Sequence, residues 1–202
     1  MRTPRRARRV LSYTVIPATI LTTGILVSAS SYSVFNARTM NPGNSFSAGT
    51  VVLTSDGAGA GGASGTALFA ADVSPGSTGT KCVTVTSNGT LPSVVKLYGA
   101  NESTTNALDS YLTLTVRVGT ATSTAGGACT GFSSTGTVFP AAHLSTFPTS
   151  GYSTGLGTTW SPAGSPGESK VFQFEYTLDG AAPTSTQGGS AHIDFVWEAQ
   201  TT

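Results

Sequence analysis

The chain has 202 residues, 9% of them charged and 38% hydrophobic, with a formal net charge of +1. Five of its ten basic residues are Arg2, Arg5, Arg6, Arg8 and Arg9, so from residue 34 onward five cations face nine acids and the formal charge is −4. That balance argues against nucleic acid or an anionic membrane as partner of the main domain, because no basic patch remains to neutralise phosphates.

The basic head is followed by an apolar stretch, Val10 to Val27, and then by the small residues Ser28-Ala29-Ser30-Ser31. Basic head, apolar middle and small-x-small exit are the parts of a secretory signal peptide. Roughly 18 residues is near the lower limit for spanning a bilayer, so a retained signal anchor is the alternative. Five Ser/Thr hydroxyls and Pro17 weaken the stretch as a permanent helix, and a cleaved leader over residues 1–33 is expected, with cut points after Ser30 or Ser33. The remaining span, 34–202, is about 170 residues, which suits one domain able to bury about 70% of its unfolded surface. Glu, Lys, Arg and Gln are scarce while Ser, Thr, Gly and Val abound. Such a composition favours an all-β fold, and the apolar content is too high and the charge too low for disorder.

In chain order, period-two alternation marks weak strand candidates at Phe46 to Leu53, Thr66 to Ala71, Lys81 to Thr86 and Val94 to Tyr98. A clear strand follows, with Leu112, Leu114, Val116 and Val118 on one face and Thr113, Thr115 and Arg117 on the other. A short candidate spans Thr137 to Phe139. Two more clear strands carry Phe172, Phe174, Tyr176 and Leu178, and then Ile193, Phe195, Trp197 and Ala199, each alternating with polar residues. At most a turn of helix fits near Thr104 to Ser110. Turns are expected at Ser74-Pro75-Gly76, Asn88-Gly89, Leu178-Asp179-Gly180 and Gly188-Gly189. Asp56 to Gly65 reads as a glycine-alanine loop. The long, weakly charged region 119–166 is expected to hold a hairpin or two, anchored by Cys129, Phe132, Phe139, Phe147, Tyr152 and Trp160. Many short strands, each with one apolar face, bury those faces best as an antiparallel two-sheet sandwich of jelly-roll type.

Cys82 and Cys129 are the only cysteines. Outside the cytosol an isolated pair is expected to be oxidised, closing a loop of about 48 residues and stabilising the fold by roughly 4 kcal/mol. Cys82 alternates with Val83 and Val85, so with those valines in the core the bridge lies on the outer face or at a strand end, tying a loop down.

Residues with catalytic chemistry are sparse. Neither His143 nor His192 sits in a zinc-protease motif. His192 and Asp194 share a strand face that is expected to be solvated. Gly151-Tyr152-Ser153-Thr154-Gly155 spells a hydrolase elbow, but an elbow needs a strand before the serine and a helix after it. Gly57 to Gly62 and Gly126-Gly127 lack the lysine of a phosphate loop, and the acids form no calcium loop. Asn88 and Asn101 begin glycan-acceptor triplets, a pattern too short to weigh much. No catalytic residue, metal ligand or cofactor is expected, and the reading is of a protein that is not an enzyme.

Three segments carry a resemblance. Val34-Phe35-Asn36 precedes Asn44-Ser45-Phe46-Ser47-Ala48-Gly49-Thr50-Val51-Val52-Leu53; Val73-Ser74-Pro75-Gly76 leads into Cys82 to Pro92; and the chain ends near Ile193-Asp194-Phe195-Val196-Trp197-Glu198-Ala199-Gln200. In order and spacing these resemble the TasA/camelysin family, although Ala37 stands where that family has Asp and the cysteine pair is an addition. The resemblance implies a jelly-roll protein released by a dedicated signal peptidase, secreted to the cell surface or extracellular matrix, and self-associating into a homopolymer, the fibre of a biofilm matrix. It further implies that an N-terminal segment, here 34–44 with Val34, Phe35 and Met40 in need of burial, serves as a donor strand in the next subunit. Through camelysin the resemblance also carries a metallopeptidase reading, which no residues here support. A third reading is a surface adhesin or carbohydrate-binding module contacting its ligand through exposed Tyr152 and Trp160.

Overall fold

The computed structural model describes residues 49–56, 68–69 and 72–202. The leader, the candidate donor segment with Val34, Phe35 and Met40, and most of the glycine-alanine loop lie outside the described residues. Among the described residues eight strands follow in order: β1 (Leu53–Ser55), β2 (Thr78–Ser87), β3 (Ser93–Thr104), β4 (Leu112–Thr120), β5 (Ser133–His143), β6 (Leu156–Trp160), β7 (Glu168–Leu178) and β8 (Ala191–Thr201). They form two antiparallel sheets, one ordered β1-β2-β7-β4-β5 and the other β6-β3-β8. Helix is confined, among the described residues, to short 3₁₀ turns, one of them Leu108–Ser110 inside the span where a turn is expected. The chain is an all-β sandwich.

Alternation makes the sandwich. In β7, Phe172, Phe174, Tyr176 and Leu178 are buried while Gln173, Glu175 and Thr177 are half-exposed on the other face. β4 repeats the pattern with Leu114, Val116 and Val118, and β2 with Val83 and Val85. The second sheet answers with Val95 and Leu97 from β3 and Phe195 and Trp197 from β8. Ring centroids lie 4.5 Å apart for Phe174–Phe195, 5.9 Å for Phe174–Trp197 and 5.4 Å for Phe172–Trp197. Phe147 adds edge contacts to Phe139 at 5.0 Å and to Phe195 at 5.4 Å. Tilted and edge-on pairs of this kind contribute beyond the area they bury.

Several strands outrun their sequence signal. β2 begins at Thr78, β3 runs to Thr104 and β5 spans Ser133–His143, because ladder hydrogen bonds continue through small and polar residues beyond the alternating apolar positions. The region 119–166 holds β5, which forms a hairpin with β4, and β6, which pairs with β3. Its expected anchors Phe139, Phe147 and Trp160 are buried. In two places the expectation is corrected. Of the described residues 49–56, only Leu53–Ser55 form a strand, Val51 and Val52 lying outside it, while 46–48 fall outside the described residues. Leu68 and Phe69 belong to no strand; they pack on the core as loop residues, Phe69 edge-on to Tyr176 at 4.9 Å.

Two turns show why their glycines are required. Ser77 N–H donates to Ser74 C=O at 2.8 Å, and Gly76 between them has φ 83°, the conformation that a turn opened by Pro75 demands at its second central position. At Asn88-Gly89 the reason is proximity: a Cβ on Gly89 would stand 2.6 Å from the Thr50 carbonyl oxygen.

Phe174 is fully buried between Phe195 and Trp197. Phe174→Ala is expected to destabilise the domain by about 3–5 kcal/mol. Val52→Ala, at a position 38% exposed, is expected to stay within about 0.5 kcal/mol. Denaturant unfolding of both variants checks the contrast.

Candidate functional site

The two cysteines are bonded, with Cα atoms 5.2 Å apart. Cys82 lies on the face of β2 opposite Val83 and Val85, as alternation requires, yet is only 1% exposed. What covers it is the connection between β4 and β5, residues 121–132, folded back on the outer face and held by its own Ser123–Thr130 bridge. Further bonds fasten this flap. Lys81 Nζ donates to Gly126 C=O at 3.4 Å, and the Thr84 and Thr124 hydroxyls meet at 2.6 Å. Asp56, just past β1, receives the Thr84 N–H on one carboxylate oxygen at 2.8 Å and the Thr124 hydroxyl on the other.

The other candidate residues are not drawn into a reactive cluster. His192 Nε2 lies 3.3 Å from Asp194 Oδ1 with both side chains about half-exposed, and Asn101 Nδ2 donates to Asp194 Oδ2 at 2.7 Å. Ser153 is exposed in a turn, and the element after it is strand β6 rather than a helix. Among the described residues, no group of three or more His, Cys, Asp and Glu side chains comes together in a way that could hold a metal ion. Asn88 and Asn101 are exposed. Trp160, an exposed contact only in the adhesin reading, is 6% exposed and belongs to the core, because its partner in the ladder is inward-facing Val95. Tyr152 is half-buried, its hydroxyl donates to Val94 C=O at 3.0 Å, and Lys96 Nζ lies 4.7 Å above its ring.

The unusual feature lies at a sheet edge. A sandwich of two open sheets has four edges, here β1, β5, β6 and β8. An exposed edge is a row of unpaired backbone groups, blunted in most proteins by shortness, proline or bulges. β1 has three residues and β6 five. β5 carries Pro140, which has no N–H to offer, and its register against β4 shifts more than once. β8 is different: eleven residues, no proline, and a ladder with β3 broken only between Ala100 and Ser103. Among the described residues no strand pairs with its outer side.

Below this edge, among the described residues, the two sheets do not close. Between β1 and β8 runs a groove of about 1050 Å³ whose lining includes Leu53, Phe69, Val85, Tyr176, Ile193 and Phe195. Ala191, Ile193, Phe195, Trp197 and Ala199, the inward face of β8, are only partly buried. Topology accounts for the gap. A complete eight-stranded jelly roll has sheets ordered 2-7-4-5 and 1-8-3-6. Here β2-β7-β4-β5 and β8-β3-β6 reproduce that order, but β1 pairs with β2 and the place beside β8 is unfilled among the described residues. Sequence alternation identified β8 as a strand but carried no sign that it would be an edge.

The outer face of the β6-β3-β8 sheet carries a perturbed group on β3. Tyr98 on β3 donates its hydroxyl to Glu198 Oε2 at 2.8 Å, and this bond, then burial, then the Glu198 charge hold the phenol above its usual pKa of 10.0. A raised phenol contributes stability that is complete below pH 10.0 and is lost as pH rises through the folded-state value. Ultraviolet titration is expected to show Tyr98 ionising above pH 10.0, and Glu198→Gln to lower its pKa.

Among the described residues no helix is long and apolar enough to cross a membrane, and the disulfide is compatible with a compartment outside the cytosol. Compared with protein-family models and with curated proteins, the chain matches none.

Proposed function

We propose that this protein is an exported structural subunit of the cell surface or extracellular matrix, and that copies join by strand exchange. In this reading segment 34–44 of one copy lies beside β8 of the next. The observation that carries it is that, among the described residues, the place next to β8 is unfilled, over a groove lined largely by apolar side chains. A strand added there would take up the edge's backbone hydrogen bonds and turn alternate side chains into the groove. The lengths agree: residues 34–44 and β8 both number eleven. Val34 and Met40, six residues apart, would share one strand face with Phe35 on the other; Arg38 is the segment's one charge, and Pro42 removes a single N–H near its end. The basic-apolar leader and the disulfide support export, and the resemblance to the TasA/camelysin family supports a matrix fibre.

Protein beginning at residue 34 is expected to form filaments visible by electron microscopy and large species in sedimentation. Protein beginning at residue 45 is expected to stay monomeric with an unchanged circular-dichroism spectrum. Filaments from the shorter form, or monomers from both, would defeat the reading.

A further inference from the structure

The groove has two rims, and they are not equally secure. β8 is held along its length by β3. β1, the other rim, contributes Leu53, Thr54 and Ser55 to the lining and is only three residues long. Its start is fastened to the turn before β3: Asn88 N–H donates to Val52 C=O and Thr90 N–H to Thr50 C=O, both at 2.8 Å. Its far end is fastened at Asp56, whose N–H donates to Thr84 C=O at 3.1 Å and whose carboxylate takes the Thr84 N–H and the Thr124 hydroxyl. Thr124 belongs to the flap, and the flap is covalently tied to β2 at Cys82.

One continuous route therefore runs from the disulfide to the groove. Cys82 and Thr84 project from the same outer face of β2, two residues apart, and both are covered by the flap. The bond to Cys129 holds the flap down, the flap carries Thr124 to Asp56, and Asp56 terminates the rim strand. A two-hydroxyl, one-carboxylate junction in a partly exposed place is weak unless its members are held in position, because each bond must repay the ordering of the groups that make it. The disulfide removes that ordering cost for Thr124.

We propose that the Cys82–Cys129 disulfide governs the acceptor groove: by clamping the flap it sets Thr124 against Asp56 and keeps β1 in place as the rim on which strand acceptance depends. The proposal rests on reading the groove as an acceptor. It makes assembly sensitive to reduction by a dithiol. In that exchange the S–S bond takes two electrons and two protons to leave two thiols, while the dithiol closes to its own disulfide.

The test uses protein beginning at residue 34, its Cys82→Ser/Cys129→Ser double variant, and Thr124→Val, which keeps the disulfide and removes the hydroxyl. The concentration needed for assembly is read by light scattering, and folding by circular dichroism. Both variants are expected to remain β-rich, and both to need about tenfold more protein to assemble, the equivalent of losing one charge-assisted hydrogen bond. Wild-type assembly by a folded double variant overturns the proposal. Should that variant fail to fold, Thr124→Val decides, and wild-type assembly by it overturns the proposal equally. The form beginning at residue 45 separates the two ideas. If it assembles, strand exchange is wrong and the clamp's role falls with it; if it does not while both variants assemble normally, only the clamp is wrong.

Discussion

The whole structure depends on the burial of one face of β7 against the aromatic face of β8. Phe172 and Phe174 stand opposite Phe195 and Trp197, and each ring meets another at a tilted or edge-on angle. Neither sheet is stable with that face in water, since stripping water from large apolar side chains is the main force favouring a compact chain. Once the rings interdigitate, strand direction, register and the outward placing of Gln173, Glu175 and Thr177 follow, because a one-residue slip would turn every phenylalanine outward.

Face-to-face burial leaves the edges unsolved, and this protein treats its four edges unequally. β1 and β6 are short, and β5 is interrupted by Pro140 and by shifts in register. β8 is long and free of proline, its register against β3 shifts only between Ala100 and Ser103, and it borders the groove. Among the described residues an open jelly-roll position and a largely apolar groove coincide, since an unfilled place leaves both unpaired backbone and uncovered side chains. The proposed exchange of an N-terminal segment would satisfy both at once.

The flap over β2 illustrates a different use of a cross-link. In small exported domains a disulfide commonly compensates for a thin core, but here the core is continuous and aromatic. The bond instead secures a loop to the polar face, where burial offers little, and brings together three polar groups, Thr84, Thr124 and Asp56, that lie far apart in the chain. Glu168 shows how such a job is done without a cross-link. Its carboxylate accepts the Ala163 and Ser165 N–H groups within one tight loop. The Ser165 bond first, then that of Ala163, keeps its pKa below the usual value. Its partners are three and five residues away, so no covalent help is needed.

Local pattern determined much of this protein. Alternation in Leu112–Val118, Phe172–Leu178 and Ile193–Ala199 identified the strands and the side of each that is buried, because strand side chains point to opposite faces whatever the partner strand. The same rule puts Cys82 on the face opposite Val83 and Val85, leaving the outer face or a strand end for the bridge. Tertiary structure alone decided what periodicity cannot encode. The extent of β2, β3 and β5 was hidden because their polar ends are held by backbone bonds that leave no trace in side-chain type. Trp160 became a core residue because pairing with Val95 turned it inward. Asp56 acquired its role from two strangers in sequence, Thr84 and Thr124. Which strand would be the open edge was likewise invisible, since being an edge is a property of which neighbours pair and which place remains empty, and no single strand carries that information in its own residues.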